Sequence, residues 1–155
     1  MRNSLYLFVL ALIVHCGNAK AIEEIAFTPS AGVKATIAIH DSLVSVRVCS
    51  TRNCNSSVFS VDADNSNSIR IEKVDYNFDG KIDFSLKYLD EGMGVYFIHR
   101  VFLYSKTTRN FKEYFPRCGD EFINLKIDKK KRRLISTYFR DNTPKLCISY
   151  PPKSL

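Results

Sequence analysis

The chain is poor in histidine, in recognisable catalytic motifs and in apolar runs beyond its first residues. It contains three histidines, and neither a G-x-S-x-G turn nor a comparable nucleophile motif is present. A catalytic triad needs a histidine beside a nucleophile and a carboxylate. Only His40, in a predicted turn, and His99, in an aromatic run, follow the N-terminal segment. We therefore expect both histidines to be structural and the protein not to be an enzyme.

An apolar run does occur at the N-terminus, in residues 5–14. It is about ten residues long, whereas a membrane-spanning helix needs roughly 20. Small residues follow and allow cleavage after Ala19 or Ala21. We therefore expect residues 1–21 to be a signal peptide and the mature protein to lie in the periplasm without spanning the membrane.

A second interpretation of the N-terminus is a lipoprotein anchor at Cys16. The residue before it, His15, is too large for the position that precedes a lipidated cysteine, so we favour cleavage. Residues 22–155 are then long enough to bury one hydrophobic core. We expect them to form a single secreted domain.

Four cysteines remain after the signal peptide, and in an oxidising compartment they predict two disulfides. The short spacing favours a bridge between Cys49 and Cys54, which leaves Cys118 to pair with Cys147. Zinc is the competing use of four cysteines. The spacings lack the two short pairs of a structural zinc site, so zinc is disfavoured.

Short runs of β-branched and aromatic residues, separated by Asn, Asp, Gly, Ser and Lys, predict strands and turns throughout the domain. The helix signal is weak. The sequence therefore predicts an all-β or mostly β fold, with compact antiparallel sheets in a sandwich or propeller-like arrangement. We expect Pro151 and Pro152 to end the ordered chain. The predicted strands are residues 23–27, 35–39, 43–48, 58–61, 84–88, 95–104, 111–115, 125–127 and 134–139.

The most specific motif is an acidic loop in residues 75–83, which reads D-x-N-x-D-G-x-x-D. Alternate oxygen side chains can converge on one cation because Gly80 permits the positive φ that wraps the chain around it. Three carboxylates and an amide suit calcium better than zinc or copper. The predicted ligands of a structural calcium ion are the side chains of Asp75, Asn77, Asp79 and Asp83 and the carbonyl of Lys81.

This motif differs from an EF-hand, since its twelfth position is Leu86 instead of glutamate and its flanks are predicted strands. Its spacing resembles the calcium loops between strands of integrin-type β-propeller repeats. The alternative is an acidic turn in which carboxylates accept backbone N–H bonds and no metal binds.

Two further segments are candidates for binding. Residues 129–133 form a basic run that we expect to be a solvated hairpin tip instead of a nucleic-acid site. The formal net charge of +7 favours acidic partners or anionic polymers without naming one. The glycine-bearing loop that contains Glu91, Met93 and Tyr96 is either a partner-binding loop or a plain strand connection.

The order of features in residues 69–139 resembles one family, the calcium-loop (FG-GAP/VCBS-like) lysozyme-inhibitor-like proteins of Gram-negative periplasms. Some of these are immunity proteins against peptidoglycan-degrading toxins. The matching segments are D-Y-N-F-D-G-K-I-D-F (75–84), a glycine-bearing loop (90–96), F-L-Y-S-K-T-T-R-N-F (102–111) and I-D-K-K-K-R-R-L-I-S (127–136).

The resemblance implies a compact β domain that binds a lysozyme-like hydrolase or toxin and blocks its active site. It implies no catalytic residues, and it implies that calcium is structural. A second hypothesis from the residues is a secreted, calcium-dependent module that binds a glycan or surface polymer. In that case the basic hairpin and exposed aromatic residues would be the contact face.

Overall fold

The computed structural model describes residues 24–61, 68–90 and 96–155. These residues form antiparallel strands and no α-helix, and so no helix here is long and apolar enough to span a membrane. The prediction of an all-β fold is confirmed. The strands are β1 (Glu24–Ser30), β2 (Val33–His40), β3 (Leu43–Ser50), β4 (Cys54–Ser60), β5 (Arg70–Val74), β6 (Asp83–Asp90), β7 (Tyr96–Ser105), β8 (Asn110–Tyr114), β9 (Phe122–Asp128), β10 (Arg133–Arg140) and β11 (Thr143–Ser149).

The strands form two sheets. The first is a four-stranded meander in the order β1-β2-β3-β4, and the second has seven strands in the order β11-β10-β9-β7-β6-β5, with β8 also beside β7. One edge of the long strand β7 is divided between two partners. Its C-terminal half pairs with β8, whereas Ile98 and His99 pair with β9.

Several short turns have the backbone that their sequences predict. Asp41 adopts a φ of 52° in the turn between β2 and β3, as Asp and Asn tolerate the left-handed region better than most residues. Asp141 and Asn142 do the same between β10 and β11, with φ values of 51° and 56°. The predicted turn after β2 is confirmed, and β6 and β7 are neighbouring antiparallel strands.

The two sheets pack face to face through a first hydrophobic core. In β3, Val44, Val46 and Val48 are buried and alternate with exposed residues, which is the pattern of a strand with one face in a core. The second sheet contributes aromatic side chains. Phe84 and Phe102 stack at the centre, with 4.7 Å between their ring centroids.

A second core lies on the opposite face of the seven-stranded sheet. It contains Val101, Leu103 and Leu134, and Leu155 packs against it. Strand β7 is therefore buried on both faces, which explains its nearly continuous apolar sequence. Because the Ser105 hydroxyl also donates to the Leu155 carbonyl at 2.8 Å, the ordered chain continues past the two prolines that we expected to end it.

The seven-stranded sheet extends beyond the four-stranded one. Among the described residues, its contribution to the first core comes from β5 to β8 and from Ile123 in β9, and none comes from β10 or β11. Ile123 lies opposite Thr137, and Thr137 lies opposite Leu146. Directly paired residues point to the same side of a sheet. The inner face of β10 and β11 therefore projects past the first sheet, and we call it the overhanging face.

Candidate functional site

The acidic loop connects β5 to β6 and turns tightly. Phe78 and Gly80 have positive φ values of 60° and 85°, so two residues of the loop adopt the left-handed backbone conformation. The left-handed backbone at Gly80 agrees with the sequence argument for glycine at this position. Tyr76 fixes the loop to the sheet, since it is buried in the second core and its hydroxyl lies 2.7 Å from the Ser85 hydroxyl.

The first acidic residue of the loop accepts two backbone hydrogen bonds. Asp75 accepts from the amide of Asp79 at 3.1 Å and from the amide of Gly80 at 2.8 Å. The side-chain oxygen of Asn77 accepts from the same Asp79 amide at 3.2 Å. The side-chain oxygens of Asp75 and Asn77 therefore both face the Asp79 N–H group inside the loop.

Asp79 is paired within the loop with Lys81. One carboxylate oxygen accepts from the Lys81 amide at 2.9 Å, and the other accepts from the Lys81 ammonium at 2.7 Å. The hydrogen bond with Asp79 raises the pKa of Lys81 above its ordinary value. The side chain of Lys81 thus neutralises one carboxylate of the predicted calcium site.

Asp83 links the acidic loop to the centre of the second sheet. It is fully buried, and its carboxylate accepts backbone hydrogen bonds from Tyr76 at 2.8 Å, Asn77 at 3.3 Å and Tyr104 at 2.8 Å. Burial raises the pKa of Asp83 to about 7, although the three N–H donors act in the opposite direction. Its geometry is that of a structural residue that holds the loop against β7.

The chemistry of the loop's side chains favours a metal site, whereas their hydrogen bonds favour a metal-free turn. An all-oxygen set suits a hard cation such as calcium. Every carboxylate oxygen of Asp75, Asp79 and Asp83, however, already accepts a hydrogen bond. Within the described ranges, no group of three or more His, Cys, Asp or Glu side chains has a metal-binding geometry. The arrangement matches the hydrogen-bonded acidic turn, and calcium remains a prediction.

The basic run lies beside this loop, at the tip of the hairpin between β9 and β10. Residues 129–132 form the turn and are exposed, as expected for a solvated tip. Asp128 fixes the base of the turn by accepting from the Lys131 amide at 3.1 Å and the Arg133 guanidinium at 2.9 Å. The guanidinium of Arg132 donates to the Phe78 carbonyl and so connects the basic tip with the acidic loop.

Both predicted disulfides are present. Cys49 and Cys54 close the β3–β4 hairpin, and Cys118 joins the connection after β8 to Cys147 in β11. Structural disulfides persist in oxidising compartments, and these are consistent with an extracytoplasmic protein. The predicted signal peptide lies outside the described residues.

A groove of about 560 Å³ lies between the overhanging face and the edge of the first sheet. Arg100 is one of the residues that line it. Its guanidinium donates to the Ser60 carbonyl at the end of β4 and forms a two-bond pair with Glu113, at 2.6 and 2.7 Å. Asp120 and Glu121 also line the groove. Three carboxylates and one guanidinium make the groove locally acidic in a protein whose net charge is positive.

The overhanging face carries exposed apolar side chains beside this groove. Phe139 is 40% exposed, Leu146 is 74% exposed and Ile148 is 37% exposed. Phe115, on the opposite side of the groove, is 54% exposed. Sequence reasoning missed this surface because it did not predict β11. The alternation of apolar residues around Cys147 is the signal that would have indicated it.

One residue of the predicted partner-binding loop lies next to the same surface. Glu91 and Met93 lie outside the described residues. Tyr96 is the first residue of β7, and its ring packs against Phe139 with 5.2 Å between the centroids. The structure thus places one of the three predicted partner-binding residues against the overhanging face.

The two histidines lie in different environments. His40 is exposed at the end of β2, where its ring lies 3.1 Å from the carboxylate of Asp41. His99 is buried in β7, and its Nδ1 lies 3.7 Å from the Glu72 carboxylate, which is too long for a hydrogen bond. Burial lowers the pKa of His99 to about 4, so its ring is neutral at pH 7.

No protein-family model, curated protein or solved structure matches the chain. The resemblance to calcium-loop lysozyme inhibitors therefore remains an expectation drawn from the motifs alone.

Proposed function

We propose that this protein is a secreted, periplasmic inhibitor or immunity protein that binds and blocks a peptidoglycan-degrading, lysozyme-like toxin. The supporting observation is the overhanging face, where two strands leave apolar side chains exposed beside a groove. Soluble proteins rarely leave contiguous apolar patches uncovered unless a partner covers them. A rigid sheet edge that needs no rearrangement before contact is well suited to tight binding.

The groove indicates the chemistry of this partner. Asp120 and Glu121 give the groove a net negative charge, since Glu113 is paired with Arg100, and apolar side chains flank it. A partner that presents a basic side chain surrounded by apolar residues would complement both features. The positive net charge of the whole chain argues against an inhibitor of basic hydrolases, but the local charge of this surface favours one.

The experiment is a pull-down with the mature, oxidised protein, followed by identification of the retained proteins and a wall-hydrolysis assay of each. The proposal expects a peptidoglycan hydrolase that is silenced at an equimolar ratio. Retention of polysaccharide alone, or of hydrolases whose activity is unchanged, would contradict it. Reduced protein serves as the comparison, because Cys118 lines the groove and its bridge to Cys147 ties this part of the lining to β11.

We further propose that the acidic loop binds calcium as a structural ion, with the lysine side chain displaced from Asp79. Asp79→Ala should lower the melting temperature more in calcium than in chelator, because only calcium-loaded protein loses a ligand. Asp120→Ala, which removes an exposed carboxylate outside the loop, is the matched control. Equal destabilisation by Asp79→Ala in both conditions would support the metal-free turn.

A second candidate function is a secreted module that binds a glycan or surface polymer. It rests on the exposed basic tip at residues 129–132 and its link to the acidic loop through Arg132. Calcium-dependent retention on peptidoglycan or polysaccharide would favour this function. Absence of retention would contradict this second function, and retention without calcium dependence would contradict a role for calcium in it.

A further inference from the structure

A second concave site lies at the opposite end of the sandwich, where three turns meet. Its volume is about 440 Å³. The turn between β1 and β2, the disulfide-closed turn between β3 and β4 and the turn between β7 and β8 surround it. The hydroxyl-bearing and basic residues that line it are Ser30, Ser50, Thr51, Arg52, Lys106 and Arg109.

The lining of this pocket is cationic and contains no carboxylate. Arg52, Lys106 and Arg109 contribute three positive charges, and none of them forms an ion pair with a carboxylate of the described residues. Ser30 and Thr51 add hydroxyl groups, which donate hydrogen bonds to anionic oxygens, whereas the Ser50 hydroxyl donates to the Asn53 carbonyl at 3.3 Å. Like charges that are brought together without a counter-charge favour an anionic ligand.

The three cations are attached to turns that are fixed to one another. The side-chain amide of Asn55 donates to the carbonyls of Thr108 and Arg109 at 3.2 and 3.4 Å, and so ties the β7–β8 turn to β4. The Arg109 guanidinium donates to the Ser50 hydroxyl at 3.4 Å. The Cys49–Cys54 bridge closes the turn that carries Arg52. The pocket is therefore built before any ligand arrives, which lowers the entropy cost of binding.

We propose that this pocket binds a multiply charged oxyanion, a phosphate or sulfate group, between Arg52, Lys106 and Arg109. Guanidinium groups recognise such oxyanions through paired hydrogen bonds, and the lysine adds a point charge. The group belongs either to a free ion or to a terminal ester on a saccharide, since both present the same oxygens. The site is separate from the groove and the overhanging face, and it does not depend on the inhibitor function.

The test is an NMR titration of the oxidised protein at low ionic strength, without divalent cations, using inorganic phosphate, inorganic sulfate, glucose 6-phosphate and acetate. The proposal expects saturable shifts centred on the amides of Gly32, Arg52 and Lys106, with acetate the weakest ligand. Tighter binding of glucose 6-phosphate would assign the site to an ester, and tighter binding of the inorganic ions would assign it to a free ion. Absence of saturation with all phosphates and sulfates would overturn the proposal.

Charge removal provides the second measurement. Arg52→Gln combined with Lys106→Gln should weaken phosphate binding about tenfold or more, because two charge-assisted contacts are lost. The control is Lys129→Gln combined with Lys130→Gln, which removes the same charge from the exposed hairpin tip. Equal weakening by both pairs would show that phosphate responds only to the net charge, and would refute a site in this pocket.

Discussion

The burial of His99 predicts that this residue contributes a loss of stability when the pH falls from 7 to 4, whereas the raised pKa of Asp83 contributes in the opposite direction over the same range. The ordinary pKa of histidine is about 6.5, and burial lowers the pKa of His99 to about 4. The unfolded chain therefore binds a proton in this range while the folded chain does not. The stabilisation from a neutral His99 is complete above pH 6.5 and is lost progressively as the pH falls towards 4.

The size of the effect follows from the difference between the two pKa values. A difference of about 2.5 units corresponds to about 3 kcal/mol of unfolding free energy between pH 7 and pH 4, at about 1.4 kcal/mol per unit. Two charged neighbours modify this value, since Glu72 raises the pKa of His99 and Lys87 lowers it. Burial remains the largest cause.

The assay is urea unfolding of the oxidised protein at several pH values, followed by far-ultraviolet circular dichroism because the chain has no tryptophan. Relative to the wild type, His99→Leu should shift the change in unfolding free energy between pH 7 and pH 4 by about 3 kcal/mol towards greater stability at pH 4, because leucine does not titrate and Asp83 is present in both proteins. His40→Gln is the matched control, since it replaces an exposed histidine and leaves His99 in place. If His99→Leu retains the slope of the wild type, the argument from burial is refuted.

Two further predictions concern the framework. Asp83→Ala should destabilise the protein by about 3 kcal/mol at pH 7 in urea unfolding with chelator present, because three buried N–H groups lose their acceptor while the cost of burying a carboxylate is relieved; a loss below 1 kcal/mol would show that other groups satisfy those donors. Replacing Cys118 and Cys147 by serine should cost roughly 3 to 4 kcal/mol, against about 2 kcal/mol for Cys49 and Cys54, because the longer loop gains more freedom in the unfolded chain. Equal losses from the two double variants would contradict the chain-entropy argument.

Most of the fold was predictable because local patterns and core packing agree. In β3, strict alternation of valines with polar residues indicates a strand with one buried face, and the structure buries those valines. The disulfide pairing was predictable from spacing. Cys49 and Cys54 are only five residues apart, which favours a local bridge and leaves Cys118 to pair with Cys147. The turn at Asp41 was predictable because aspartate tolerates a positive φ better than most residues.

The candidate sites were less predictable because they depend on contacts between distant segments. From the sequence, Asp83 is predicted to be one of several equivalent metal ligands. In the structure its carboxylate accepts a hydrogen bond from the Tyr104 amide, which gives it a separate structural role. The overhanging face arises because one sheet has more strands than the other. The alternation around Cys147 indicates that β11 is a strand, but no local pattern shows that its inner face lies beyond the first sheet. The pocket beside Arg52 likewise requires the meeting of three turns.

The central claim is that the overhanging face binds a protein partner, and a single charged substitution on this face tests it most directly. Leu146→Arg places a charge at the most exposed apolar residue of the face, and Leu43→Arg does the same at an exposed leucine of the first sheet. Both leucines lie outside the cores, so both variants should fold.

The measurement is the affinity of each variant for the hydrolase that the wild-type protein retains and silences. The account predicts that Leu146→Arg weakens binding at least tenfold and restores hydrolysis, because a buried unpaired charge at an interface costs about 1.4 kcal/mol or more. Leu43→Arg should bind like the wild type. Unchanged affinity of Leu146→Arg would contradict the assignment of the overhanging face as the binding surface.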